Sequence, residues 1–204
     1  MTSIMWFRRD LRLRDNPALR EAAGAGPVLG LFVLDPALWD NAGPARRAWL
    51  AANLRSLDDS MDGRLCVRMG SAASVVPRVL DEVDAEQLHV ARDFTPYGHK
   101  RDQAVVEALP DGVQGVATGT PYAVAPGTIK NGSGDPYKVF TPYSRAWRAH
   151  GWDDPVRAPG KVDWVSAEGD KGVEKMLDKA LQDAPGGMPK PGEDAARQWF
   201  DKFL

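Results

Sequence analysis

The chain has 204 residues, 43% of them hydrophobic and 26% charged, with a net charge of −2. That suits one well-buried globular domain and excludes a uniformly basic polyanion binder. A single cysteine, Cys66, excludes an internal disulfide framework and fits a reducing, cytoplasmic setting.

The N-terminal stretch MTSIMWFRRD carries its charges after the apolar residues, the reverse of a secretory signal. No apolar run approaches the ~18 residues a membrane span needs. Ser3–Phe7 is predicted to be the first strand. Arg8, Arg9, Arg12, Arg14 and Arg20 follow, against only Asp10 and Asp15, so basic charge is local. Asn16-Pro17 predicts a helix start, with Asn16 as N-cap and Pro17 at the first helical position. The continuous apolar run 27–34 (PVLGLFVL) predicts a strand buried on both faces.

Leu50, Leu54, Leu57 and Met61 recur at helical spacing and predict an amphipathic helix closed by Gly63. LCVRM (65–69) is a third predicted strand. A helix over 71–83 follows, with Pro77 arguing for Ser74 as its N-cap. QLHVA (87–91) is a fourth strand, a helix runs on to Leu109, and 115–118 is a fifth. Repeated βα units with buried strands predict an α/β fold: a doubly wound, mostly parallel five-stranded, Rossmann-like sheet. A turn-rich loop and a short helix at 143–150 complete a predicted unit over 1–150. Residues 151–191 read as a surface linker with one amphipathic helix, and 192–204 as a C-terminal helical extension bearing Trp199, Phe200 and Phe203.

The turn after the first strand is RRDLRLRDNP rather than a glycine-rich phosphate loop, so no pyrophosphate approaches the backbone there in the usual way. No P-loop or nucleophile elbow occurs. The three histidines are scattered without ligand spacing, so no metal site and no self-sufficient catalytic residues are expected. His89 reads as a buried core or rim side chain, Cys66 as a buried structural thiol, and Trp6 and Phe7 as core. In a doubly wound sheet the carboxyl ends of the strands form the ligand crevice. Arg8, Arg9, Asp35 and Asp93 are expected on that rim, with Arg46 arriving on the second long helix. Such groups above Phe7, Val33, Leu34 and Leu38 suit a flat aromatic ligand with amide-like edges. The competing reading is a salt-bridge lattice that only clamps the loops, strongest for Asp10 and Arg12.

WFRRDLRLRDNPAL (6–19), LFVLDPALW (31–39), RRAWLAANLRSLDDSM (46–61), ARDFTPYGHKRD (91–102) and GDPYKVFTPYSRAW (134–147) stand in one order. Together they resemble the N-terminal domain of the DNA photolyase/cryptochrome family, and PGEDAARQWFDKFL (191–204) is similar to the start of that family's helical domain. The resemblance implies the antenna domain of a light-driven deoxyribodipyrimidine photolyase. A light-harvesting chromophore in this domain passes excitation to FAD in an all-helical C-terminal domain, and the full-length protein repairs damaged DNA under blue light. It further implies a truncated chain, inactive alone, with Lys138, Phe140, Trp199, Phe200 and Phe203 at the junction with that domain or near DNA. Self-association through the last helix is expected. In members using 8-hydroxy-5-deazaflavin, an aspartate stands at the position of Asp93 and an arginine at that of Arg46. In folate-type bacterial members the position of Thr95 carries a glutamate that holds the pterin. The resemblance therefore favours 8-hydroxy-5-deazaflavin over methenyltetrahydrofolate. The alternatives are the photosensory part of a signalling cryptochrome and a stand-alone nucleotide-binding α/β domain.

Overall fold

The computed structural model describes residues 1–204. Its centre is a five-stranded, all-parallel sheet of β1 (Thr2–Phe7), β2 (Val28–Leu34), β3 (Leu65–Met69), β4 (Ala85–Val90) and β5 (Gln114–Ala117), in the order β3-β2-β1-β4-β5. Every residue of β2 is buried, as its unbroken apolar run requires. Gly30 in its middle leaves room that Met61 and Phe7 occupy; a Cβ there would lie 2.2 Å from the Met61 methyl carbon.

Alternation within β1 sends Met5 and Phe7 to one face and Ile4 and Trp6 to the other. Helices α1 (Pro17–Ala25) and α3 (Pro44–Asp59) contribute to the first core, and α4 (Ala72–Glu82) and α5 (Pro96–Glu107) to the second. A one-turn helix α2 (Pro36–Trp39) leaves β2 directly, and Asn16 caps α1 with a side-chain oxygen that accepts from the Leu19 amide at 3.1 Å. Trp6, Phe7, His89 and Cys66 are all buried, as read from the sequence.

Two local expectations are corrected. The helix containing Pro77 begins at Ala72, not after Ser74, so the proline lies within it. An interior proline costs ~3 kcal/mol, but buried Val75, Val76, Val79 and Leu80 each return ~1.5–3 kcal/mol. The stretch 151–171 is more than a surface connector. Trp164 is buried, and the main chain at Asp163 and Val165 bonds Val28 on both sides of that tryptophan. The Asp170 carboxylate accepts from the Met69 amide at 2.8 Å, and α7 (Lys171–Gln182) packs Val173, Leu177 and Ala180 into the first core.

Beyond β5 a turn-rich loop leads to α6 (Phe140–His150), which buries none of its residues. The last helix, α8 (Glu193–Phe203), is tied at its start. The Leu13 and Arg14 amides donate to the Glu193 carboxylate at 3.0 and 3.3 Å, and Arg14 pairs with Asp194 at 2.6 Å. No helix is long and apolar enough to cross a membrane.

Candidate functional site

The chain leaves β1 toward β2 on one side, while β4 lies on the other, so β1 and β4 flank the switch point of the sheet. Arg8, the first residue after β1, is nearly buried. Its guanidinium donates to the Asp102 carboxylate and to the Ala91 carbonyl, and lies 4.9 Å from the centre of the Trp6 ring. Arg101 stands over the same indole at 5.1 Å and donates to Asp102 at 2.8 Å. Burial pulls the Arg8 pKa down while Asp102 pushes it up. An arginine so paired stays charged at neutral pH.

Asp93 is 5% exposed at its side chain. Its carboxylate accepts from the amide and hydroxyl of Thr95 at 3.0 and 2.9 Å and from Arg101 at 3.3 Å, with Arg9 at 3.9 Å. Burial works against the charge, but the Thr95 bonds and the two arginines outweigh it and hold the carboxyl below its usual range. Thr95 in turn caps α5, accepting from the Gly98 amide at 3.0 Å. Arg8 and Asp93 are thus bound into a lattice with Arg101 and Asp102. Trp6 lies under the two arginines, and Phe7 is buried in the core on the opposite face of β1.

Asp35, at the end of β2, faces the open side of this rim. One carboxylate oxygen accepts from the Ala37 amide at 2.9 Å and so starts α2; the other accepts from the Tyr97 hydroxyl. Burial and that bond push the Tyr97 phenol up to about 12. Two cavities lie beside Asp35. One of about 90 Å³ is lined by Phe32, Val33, Leu34, Leu38 and Arg46; the other, of about 110 Å³, by Phe7, Arg8, Arg9, Leu38, Tyr97 and Arg101. Asp35, Leu38, Phe32 and Val33 border both. The Arg46 guanidinium donates to the Asn41 carbonyl at 3.1 Å. The structure therefore gathers Phe7, Arg8, Arg9, Val33, Leu34, Asp35, Leu38 and Arg46 around these cavities, and leaves Asp93 outside them as a brace.

A larger open cleft of about 1200 Å³ lies on the other side of the arginine loop. Its walls are Arg9, Arg12 and Arg14, Trp49 and Leu50 of α3, the 155–158 stretch and Phe200 of α8. Arg12 is held back by Asp15 at 3.3 Å, and burial pushes the Asp10 carboxyl upward. Sequence reasoning missed this cleft because it joins segments as far apart in the chain as Arg9 and Phe200. Its one local signal is Trp49 on the exposed flank of α3. Lys138, Phe140, Trp199 and Phe203 are exposed and line none of these three cavities.

The doubly wound parallel sheet, with a carboxylate–guanidinium crown over an apolar floor at its switch point, defines an α/β domain. The family profile for DNA photolyase matches residues 3–160, and the chain belongs to the DNA photolyase family. It is 34% identical to the deoxyribodipyrimidine photo-lyase of Synechococcus sp. over 98% of its own length and 44% of that protein's. It is 36% identical to that of Streptomyces griseus, over 99% and 46%. Among solved structures, a bacterial class III photolyase from Agrobacterium tumefaciens superposes with a TM-score of 0.81 at 29% identity, covering 99% of this chain and 44% of that one. An archaeal photolyase from Sulfolobus tokodaii, solved with two FAD molecules, gives a TM-score of 0.73 at 25% identity over 91% and 42%. The chain spans less than half the length of these relatives.

Proposed function

We propose that this chain is the light-harvesting α/β part of a DNA-repair deoxyribodipyrimidine photolyase. The observation that carries the reading is the crown at the switch point, where Asp35, Arg9 and Arg46 surround an apolar floor of Phe32, Val33 and Leu38. The donor set fits a planar pigment with amide-like edges: Asp35 accepts from its N–H groups, Arg9 and Arg46 donate to its carbonyls, and Val33 and Leu38 cover its rings. Each cavity is smaller than the ~300 Å³ at the lower end of small-molecule sites, so the two must join around Leu38 to seat three fused rings. When bound, the pigment absorbs light and passes the excitation to the family's FAD.

The first turn does not seat the pyrophosphate of a dinucleotide such as FAD. The turn from Arg8 to Asn16 has no glycine, and its Leu13 and Arg14 amides are taken by the Glu193 carboxylate where a pyrophosphate would need them. We assign the flavin to the helical part of the photolyase architecture. The S. tokodaii photolyase, whose second FAD is described as implying a novel light-harvesting cofactor, supports a flavin-like antenna. Thr95 is a helix cap without a carboxylate, which supports 8-hydroxy-5-deazaflavin over methenyltetrahydrofolate.

Fluorescence titration of the chain with both chromophores tests the assignment. Tighter binding of the deazaflavin is expected; tighter folate binding overturns the choice, and binding of neither overturns the site. Dimer repair under blue light by a protein carrying this chain together with its flavin-binding part tests the enzymatic reading against a purely signalling one.

A further inference from the structure

Asp35 is the carboxylate of the crown that borders both small cavities, yet it is not free. One oxygen is committed to starting α2, and the other accepts from Tyr97, a residue 62 positions away on the first turn of α5. The Tyr97 ring also lies 5.9 Å from the Arg101 guanidinium, which tethers it to the lattice around Asp93 and Asp102. Leu38, between the two cavities, is 54% exposed on a helix of only four residues. The Phe32 and Val33 floor, in contrast, is continuous beneath both spaces and anchored in the sheet.

We propose that Tyr97 is the gate of the crown: it occupies Asp35 in place of a ligand's own N–H donor, so every ligand must break that bond, and only a planar ligand whose donor replaces it binds tightly and joins the two cavities. The inference rests on the crown being the ligand site. Its chemistry is an exchange of donors on one carboxylate. A ligand with an N–H edge replaces the phenol bond as it forms its own. A ligand without one leaves a charged oxygen with a lost partner, and that is the larger penalty. Tyr97 thus raises the threshold for every ligand by the same bond, and a donor to Asp35 is what offsets it.

Stopped-flow fluorescence with 8-hydroxy-5-deazaflavin and with an analogue methylated at its ring N–H tests the proposal on the full chain. Wild type should bind the N–H form far better. Tyr97→Phe should raise the association rate of both probes roughly tenfold, the scale of one hydrogen bond to a charged group, and leave the ratio between them unchanged, because both displace the same phenol. Unchanged association rates for both probes in Tyr97→Phe, with Asp35→Asn still abolishing binding, overturn the role of Tyr97 and leave the crown standing. Binding of neither probe to wild type or variant overturns both. A ligand-free readout is independent of the probes: one of the four tyrosines should ionise near 12, and Asp35→Asn should bring it down. Four ordinary phenols in the wild type would also refute it.

Discussion

Single side chains carry most of the tension at the sheet's rim. Gly98 owes its identity to Asp93: a Cβ there would stand 2.2 Å from the carboxylate carbon, which Thr95 and Arg101 hold in place. Gly98→Ala is expected to push Asp93 off its partners and destabilise by ~1–3 kcal/mol, read as a lowered urea midpoint. His89 is buried with its Nε2 on the Gln87 side chain and its Nδ1 without a partner. Burial lowers its pKa, with Glu21 opposing. The unfolded histidine, with a pKa of ~6.5, then binds more protons than the folded one in the interval between the two values. Stability is therefore complete above that range and falls as pH drops through it. Urea midpoints at two pH values on either side should show this loss, and His89→Gln should remove most of it. That His89 would be buried was legible from its strand. That its neighbour would be Gln87 rather than a core carboxylate was not, because the choice lies in rotamers set by packing.

Among the strands and helices, the sheet follows directly from its apolar runs, and the crossovers follow from the amphipathic helices between them. The 151–183 region is the exception. Its prolines and scattered charges hide a single anchor, Trp164, whose flanking main chain bonds Val28. The α7 stripe was legible from helical spacing, but its destination was not, since periodicity gives a face and never the surface it meets. Leu177, 1% exposed in the first core, is the sharper test: Leu177→Ala should cost about 2–5 kcal/mol by the usual cavity scale. A loss within ±0.5 kcal/mol, typical of surface positions, would mean that α7 only rests on α3.

For the chain as a unit, the governing feature is the aromatic end of α8. Glu193 fastens its first turn to the arginine loop, yet Phe203 at the other end is 86% exposed, with Trp199 and Phe200 exposed beside it. Such a patch seeks cover. Sedimentation velocity of the isolated chain should show concentration-dependent association, abolished by Trp199→Glu with Phe203→Glu. Net charge of −2 argues that the chain alone binds DNA weakly and loses that binding steeply with added salt. A gel shift that holds nanomolar affinity at physiological salt would contradict it.

The order of βα units, the burial of β2, the cap at Asn16 and the absence of a glycine phosphate turn are all local properties, so the residues alone determined them. The tertiary structure decided which charges on the rim are spent on one another. Arg8 meets Asp102 across 94 positions and Tyr97 meets Asp35 across 62, and neither pairing has any signature in spacing. Ionic and hydrogen-bonding partners are chosen by three-dimensional proximity and desolvation. That is why the crown was foreseen as a set of residue types, while the division between brace and binding edge emerged only from the fold.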